Sequence, residues 1–431
     1  MQVIRTALIA STLLAVTQSG CVAEQQSARW YRGNTHTHSL WSDGDDFPEM
    51  IVDWYRRNGY DFLALSDHNI LSKGEKWIDV AYAVRHSGAE DVLEKYKACF
   101  PDNWVETREH DGRQQVRLKT LEEFRPLFEK PGEFLLIQAE EITDNFERKP
   151  VHINALNLEE VIKPQRGSSV RDTIRNNLRA VKEQEERLGR PILAHLNHPN
   201  FGWGITAEDI AYILEDDFFE VYNGHGSINH EGDAYRPGDE AIWDIANTIR
   251  LGELKARPLY CVATDDSHNY HAKTHAITGR GWIWVRSEKL DADSLILAMR
   301  RGDFYASSGV KLRDVRFDAN SGTLTIEIDP VPGETYTTHF IGTEIDYDRT
   351  TQPARDKDGN EVPDRRQYSA DVGKTFATVE GTKATYKLTG RELYVRATIV
   401  SSAAPERPVY RNQKKKAWTQ PVGWEKYVKT E

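Results

Sequence analysis

His36 and His38 stand two residues apart at the end of an extended run, in Asn34-Thr35-His36-Thr37-His38-Ser39-Leu40-Trp41-Ser42-Asp43-Gly44. Side chains at i and i+2 of a strand point to one face, so both imidazoles can converge on one ion. The same pairing of an apolar run with a terminal ligand returns in Ser66-Asp67-His68-Asn69 and in Ala139-Glu140-Glu141, followed by His152. It returns again in Ala194-His195-Leu196-Asn197-His198-Pro199 and Thr264-Asp265-Asp266-Ser267-His268. One buried histidine is commonly a hydrogen-bonded core residue. Ligand-type residues at five successive strand ends call for a shared ion, and His with carboxylate suits Zn, Mn or Fe.

From about residue 29 to 310 apolar runs alternate with helical patterns. Asp46-Phe47-Pro48-Glu49 opens a helix, because Pro is tolerated in a first turn and acidic residues suit that end. Ile51, Trp54 and Tyr55 continue it at i, i+3 and i+4 until Gly59. Tyr60–Ser66 reads as the next strand and delivers His68. A helix capped near Ser168 or Ser169 stops at Gly189, and the strand Pro191–Ala194 hands over His195. Strand–helix alternation with ligands at strand C-termini follows the logic of an α/β barrel.

Residues 70–132 interrupt that rhythm as a charged, aromatic insertion expected to build specificity or a lid. Beyond Gly309 the texture changes to period-two alternation, as in Thr323–Ile328 and Leu393–Ile399, separated by Gly, Pro, Asn and Asp clusters. This predicts a small antiparallel β-sandwich over 311–424. Of fourteen histidines only His339 lies there, so metal chemistry belongs to the first domain.

The ordered ligand clusters resemble the PHP family (polymerase and histidinol phosphatase), over roughly Arg29 to Gly309. The resemblance implies an α/β fold, a distorted seven-stranded (β/α)7 barrel of parallel strands. It also implies a trinuclear site of two or three divalent ions (Mn, Zn or Fe) at the strand C-termini. One metal would take His36, His38, Glu141 and Asp266; a second would share Glu141 and take His152 and His195; a third would use Asp43, His68 and His268. The family spacing favours Glu141 over Glu140 and His195 as ligand, although His198 competes closely with it. Asp266 is preferred to Asp265 because it shares a face with His268. Asp67 and His198 are candidates for proton transfer, and Asn69, Tyr222, Asn223 and His225 for substrate contact.

The implied activity is a metal-dependent phosphoesterase, working on a monoester or diester by in-line attack of a metal-bridging hydroxide. No Gly-x-Ser-x-Gly elbow or phosphate-cradling Walker loop offers another nucleophile. The same site would serve a carbamate or aryl-ester hydrolase. A different reading is a non-catalytic metal- or glycan-binding lipoprotein with Trp418 and Trp424 as a platform, against which the complete ligand set argues.

Residues Met1–Arg5 are basic, Thr6–Val16 apolar and Gln18-Ser19-Gly20 small and polar, the pattern of a signal peptide over 1–21. Ser19-Gly20-Cys21 resembles a bacterial lipobox, with Gln18 in place of the usual aliphatic residue. The expectation is an exported bacterial protein, periplasmic or anchored to the membrane through a lipid on Cys21 alone. Cys261 reads as a core residue, and no local feature indicates a disulfide with Cys99. A net charge of −11 with interspersed signs offers no basic stripe for nucleic acid, and Lys414-Lys415-Lys416 reads as an exposed loop.

Overall fold

The computed structural model describes residues 28–101, 103–272 and 275–428, so the apolar leader and Cys21 lie outside the described residues. Short apolar runs become the strands of the metal-bearing half: β1 (Arg29–Asn34), β2 (Phe62–Leu65), β3 (Leu135–Phe146), β4 (Lys149–Leu156), β5 (Leu193–Leu196), β6 (Phe218–Asn223) and β7 (Tyr260–Thr264). In β2, β5, β6 and β7 every residue is buried, as expected for strands covered on both faces. The helices between them start and stop where their caps dictate. Helix α1 (Pro48–Arg57) has Pro in its first turn, and α2 (Val170–Leu188) is capped by the Ser169 hydroxyl and ends at Gly189 with φ 63°.

These strands neighbour one another in the order β7-β6-β5-β4-β3-β2-β1. The pairs β1/β2, β2/β3, β5/β6 and β6/β7 are parallel. β4 departs from the all-parallel expectation and runs antiparallel to both β3 and β5. The cause is local: Glu147 and Arg148, both at positive φ (48° and 68°), make a two-residue turn too short for a parallel crossover. The sheet curls, because one apolar cluster contains Tyr31 from β1, Ile137 from β3, Leu193 from β5 and Val262 from β7. Its two ends meet beyond the strands through a single parallel bridge, Thr37 to Ser267. There His38 N–H donates to Ser267 O (3.0 Å) and Asp266 N–H to His36 O (3.0 Å), which welds the first ligand cluster to the last.

The sheet does not stop at β1. Strands β8 (Trp282–Ser287) and β9 (Phe304–Ser307) extend it. The C-terminal layers are formed by β10 (Leu312–Asp318), β11 (Thr323–Ile328), β12 (Tyr336–Glu344), β13 (Lys374–Glu380), β14 (Lys383–Lys387), β15 (Glu392–Ser401) and β16 (Lys416–Thr419). The 13-stranded sheet continues from β1 as β8-β9-β16-β15-β12-β13. A second layer, β10-β11-β14, packs on it through Leu324, Ile326 and Ala384 against Phe340, Val395 and Ile399. The boundary expected at residue 310 is therefore no break in hydrogen bonding, since Tyr305, Ala306 and Ser307 pair with Thr419, Trp418 and Ala417.

One buried and one half-buried ion pair join helix α3 (Asp239–Ile249) to β15 and β16. Asp244 accepts from Arg396 Nε (2.7 Å) and Nη2 (2.6 Å), and Glu240 accepts from Lys416 Nζ (2.9 Å) and the Thr398 hydroxyl (2.8 Å). The lysine run is thus no free loop: Lys415 and Lys416 face Glu334 and Glu240. Burial disfavours the Glu240 carboxylate, but Lys416 and Arg396 outweigh it and hold the pKa at about 2. A depressed carboxylate contributes stability above its ordinary pKa, and that contribution is lost as pH falls toward 2. Thermal melts from pH 5 to pH 2 should therefore show an acid-dependent loss in the native protein that is reduced in Glu240→Gln. Identical slopes would refute the coupling.

Trp418 is 2% exposed and stacks on Tyr222, so it packs between the halves and presents no platform. Cys99 and Cys261 are both free thiols. Among the described residues no helix is long and apolar enough to cross a membrane.

Candidate metal centre

Each cluster reaches the centre from a different element, and the shared carboxylate is Glu141. It sits inside β3, 1% exposed, and its N–H donates to Ser66 O (3.1 Å) and Asp67 O (3.2 Å). Strand parity then turns Glu140 the other way, where its carboxylate accepts from Ile162 N–H (2.6 Å). Glu141 Oε1 lies 3.3 Å from His36 Nε2, 3.2 Å from His152 Nδ1 and 3.4 Å from His198 Nε2. Its Oε2 lies 3.4 Å from His38 Nε2 and 2.8 Å from His68 Nδ1.

Asp266 follows β7 at φ 47°, a left-handed conformation that aims its carboxylate back across the strand ends. Its Oδ1 is 3.2 Å from both His36 Nε2 and His38 Nε2 and 3.5 Å from His268 Nδ1. Asp43 approaches from the loop after β1, 3.4 Å from His68 Nε2 and 3.5 Å from His268 Nε2. Three groups of candidate donors result: His38, Asp43, His68 and His268; His36, His38 and Asp266; His36, Glu141 and His198.

Buried and without a hydrogen-bond partner are His36 Nε2, His38 Nε2, Glu141 Oε2 and His152 Nδ1. Polar atoms left buried without partners are costly. Here each lies within 3.5 Å of a carboxylate oxygen or imidazole nitrogen of the cluster, every pair running through Glu141, yet makes no hydrogen bond. A nitrogen and carboxylate-oxygen donor set of this kind fits divalent Zn, Mn or Fe. The electrostatics agree. Burial opposes charging of His36, but Asp266, Glu141 and Glu220 hold its pKa well above the ordinary value. His68 is pushed up to about 11, since Glu141 and Asp43 outweigh its burial. His38 falls to about 3 through burial and its neighbours His268 and His68. Protons gathered on His36 and His68 in the absence of an ion would be released on metal binding.

The histidine beside Glu141 is His198. His195 is wholly buried with its ring centroid 6.4 Å from that of His36, and neither ring nitrogen has a partner. The turn after β5 brings His198 to Glu141, because His198 takes a φ of 25° that carries its ring to the strand ends. Asp67 does not line the cavity. Its carboxylate accepts from Ser39 N–H (2.8 Å), Ser39 Oγ (2.8 Å) and Ser42 Oγ (2.7 Å), bracing the loop that carries Asp43. Asn69 is likewise occupied, paired through its amide with the Thr143 backbone. Tyr222 points away from the centre and accepts from Gln413 Nε2 (2.9 Å), while Asn223 donates to Asp266 Oδ2 (3.0 Å) and positions it. Of the four expected substrate contacts only His225 lines the cavity.

Glu220, in the middle of β6, escaped the sequence reading. It accepts from His36 Nδ1 (2.7 Å), Thr264 Oγ1 (2.7 Å), the His198 N–H (2.8 Å) and Asn223 Nδ2 (2.8 Å). One carboxylate thus orients two of the candidate ligand histidines; a lone acid inside the apolar run Phe218–Tyr222 was the available signal. Glu220→Gln should weaken metal binding about 10- to 100-fold, read by titration of the metal-free chain, as loss of a group orienting a ligand histidine does. Unchanged affinity would remove Glu220 from the site.

The cavity above the ligands has a volume of about 210 Å3, with Phe201 and Ile228 as its apolar walls. No residue of the insertion lines it among those described. The insertion instead folds as a three-stranded antiparallel sheet, Lys76–Asp79, Arg113–Leu118 and Thr107–His110, with three helices around it. It packs on Leu40, Trp41 and Phe47, and His86 Nε2 donates to Asp43 O (2.8 Å). Its role in the fold is to buttress the Asp43 loop.

No protein-family model matches the chain, and no curated protein matches it. Among solved structures it is similar to a two-domain protein from Bacteroides vulgatus containing a predicted PHP-like metal-dependent phosphoesterase. Identity is 15% over 91% of this chain and 95% of that one, with a TM-score of 0.39. It is also similar to a protein from Bifidobacterium adolescentis described as a candidate metal-dependent phosphoesterase. There identity is 12% over 57% of this chain and 90% of the other, with a TM-score of 0.31.

Proposed function

We propose that this chain is an exported, metal-dependent hydrolase of phosphoesters, built on a distorted seven-stranded barrel with an appended β-sandwich. The observation that carries the proposal is the convergence of three donor groups around the buried Glu141, with ligand atoms left unpartnered. The residues that would hold two or three divalent ions are His36, His38, Asp43, His68, Glu141, His152, His198, Asp266 and His268. When bound, such ions supply charge that stabilises phosphoryl oxygens and the leaving oxygen during hydrolysis. Export rests on the basic and apolar residues before Cys21.

The chain's own contributions follow from its hydrogen bonds. Glu220 and Asn223 fix the ring of His36 and the carboxylate of Asp266. Asp67 holds the Asp43 loop shut through Ser39 and Ser42. His225 is a hydrogen-bond donor that lines the cavity and lies outside the three donor groups. Ser227 N–H donates to its Nδ1 (3.2 Å), so the proton of the neutral ring resides on Nε2. Burial holds its pKa down at about 4, keeping that ring neutral at pH 7. Phe201 and Ile228 form the apolar walls of the cavity beside His225.

The test is metal content of the purified chain, followed by turnover of p-nitrophenyl phosphate, bis-p-nitrophenyl phosphate and a naphthyl carbamate. Bound metal with phosphoester turnover that disappears in His36→Ala/His38→Ala is the expected result, and the two phosphate substrates separate monoester from diester chemistry. Full loading with carbamate cleavage alone would replace the phosphoester reading with the carbamate one. An inert chain that binds no metal would end both.

A further inference from the structure

The C-terminal half touches the loop that carries Phe201, a wall of the active cavity. A hairpin of Thr351–Arg355 and Glu361–Tyr368 leaves the β layers and lies against the loop after β5. Arg365, only 8% exposed, donates from Nη2 to the carbonyl of Trp203 (2.9 Å). The Tyr368 hydroxyl donates to Glu208 (2.7 Å) and Lys149 Nζ to Asp364 (2.8 Å), so the hairpin is tied to the metal-bearing half on both sides of that loop.

The loop it grips is strained. His198, Gly202 and Trp203 all have positive φ (25°, 56° and 55°), and a tryptophan there is a conformation that the surroundings must enforce. The Arg236 guanidinium covers the Trp203 ring at 4.6 Å, and Arg365 holds its carbonyl. Two residues earlier, Phe201 turns the other way. Its ring centroid lies 5.3 Å from that of His198 and 6.1 Å from that of His152, making it the aromatic wall of the cavity. With Ile228 it is the apolar part of a lining otherwise made of histidine and carboxylate.

We propose that the C-terminal hairpin, through Arg365 and the strained Trp203 turn, positions Phe201 so that the site selects phosphate esters of planar, apolar alcohols. Arg365 is a positioning residue and Phe201 the specificity-determining one. The inference rests on the phosphoesterase reading and assigns its substrate class. A planar leaving group gains contact with the Phe201 face, whereas a polyol leaving group loses hydration against it without compensation.

The test uses the full chain loaded with Mn2+ and compares phenyl phosphate with glycerol 2-phosphate. Phe201→Ala and Arg365→Ala should each lower kcat/KM for phenyl phosphate about tenfold, mainly through KM. The ratio of phenyl phosphate to glycerol 2-phosphate kcat/KM should fall in both variants, while metal content stays within twofold of the native chain. Arg365→Lys, which keeps the charge without the fork, replaces Arg365→Ala if that variant does not fold, and should show the same selective loss in smaller measure. Equal losses on both esters, or none, overturn the proposal. Hydrogen exchange in the metal-free chain separates the two layers of the argument. Weakening Arg365 should speed exchange of amides 201–205 while leaving 36–45 unchanged, whatever the enzyme hydrolyses. Unaltered exchange overturns the hairpin's hold. Hydrolysis of neither ester by the native chain overturns the substrate class, and overturns the phosphoesterase reading as well only if bis-p-nitrophenyl phosphate is also left intact.

Discussion

Glu141→Gln is expected to strip the chain of most of its metal and to lower phosphoester kcat/KM by about three orders of magnitude. The size follows from the position of the carboxylate: five histidines, His36, His38, His68, His152 and His198, stand within 3.4 Å of it. An ion-binding carboxylate that supports several kcal/mol of transition-state charge stabilisation accounts for a loss of that order. Asn197 Nδ2 donates to Glu141 Oε1 (2.7 Å), and glutamine keeps the shape and that accepting oxygen, so β3 and its neighbours remain in register. The measurement is metal per chain beside kcat/KM, with circular dichroism to show an intact fold. A variant that retains its metal and works within tenfold of the native chain would displace Glu141 from the centre. Glu140→Gln, one residue away on the opposite face, serves as the control for the strand itself.

The largest expected loss of stability lies far from the metal. Asp244→Ala leaves Arg396 (1% exposed) without its bidentate partner and removes the acceptor of the Tyr394 hydroxyl (2.8 Å). Breaking one side of a buried pair costs about 3–5 kcal/mol, because the abandoned charge remains buried. Removing both charges together, as in Asp244→Leu/Arg396→Met, should recover most of that loss, since the desolvation of both ions is relieved. Urea unfolding of the metal-free chain reads the difference, with metal content of the folded variants as a check that the centre is undisturbed. A single variant as stable as the native chain would show that α3 and β15 do not depend on this pair.

Much of the centre could be read from residue order because strands impose parity. His36 and His38 had to share a face, Glu140 and Glu141 had to part, and Asp266 had to side with His268. What could not be read depended on partners hundreds of positions away or on backbone sign. Nothing near Tyr222 announces Gln413, and nothing near Asp67 except its small neighbours announces Ser39 and Ser42. The choice between His195 and His198 turned on one left-handed residue after a strand, which spacing does not encode. The reversal of β4 hinged on Glu147-Arg148, a pair without the glycine or asparagine that usually marks a tight turn. The hairpin residues Asp356–Asn360 and the alternating strands of the tail were plain, but not that their sheet is the same sheet as the metal-bearing one.

That continuity governs the order in which the molecule can be completed. β9 lies between β8 and β16, and β8 is hydrogen-bonded to β1, the strand that delivers His36 and His38. While the chain is being made, every ligand from His36 to His268 has emerged long before residue 419 is added. Until then one side of β9 carries unpaired backbone groups and the face receiving β15 is bare. A nascent chain in this condition holds a nearly assembled metal site beside an open sheet edge, the kind of surface that pairs with other chains. The interval between translation of Ser307 and of Lys416 is therefore the period in which this protein is most exposed to misassembly, and slowing synthesis there should lower its soluble yield.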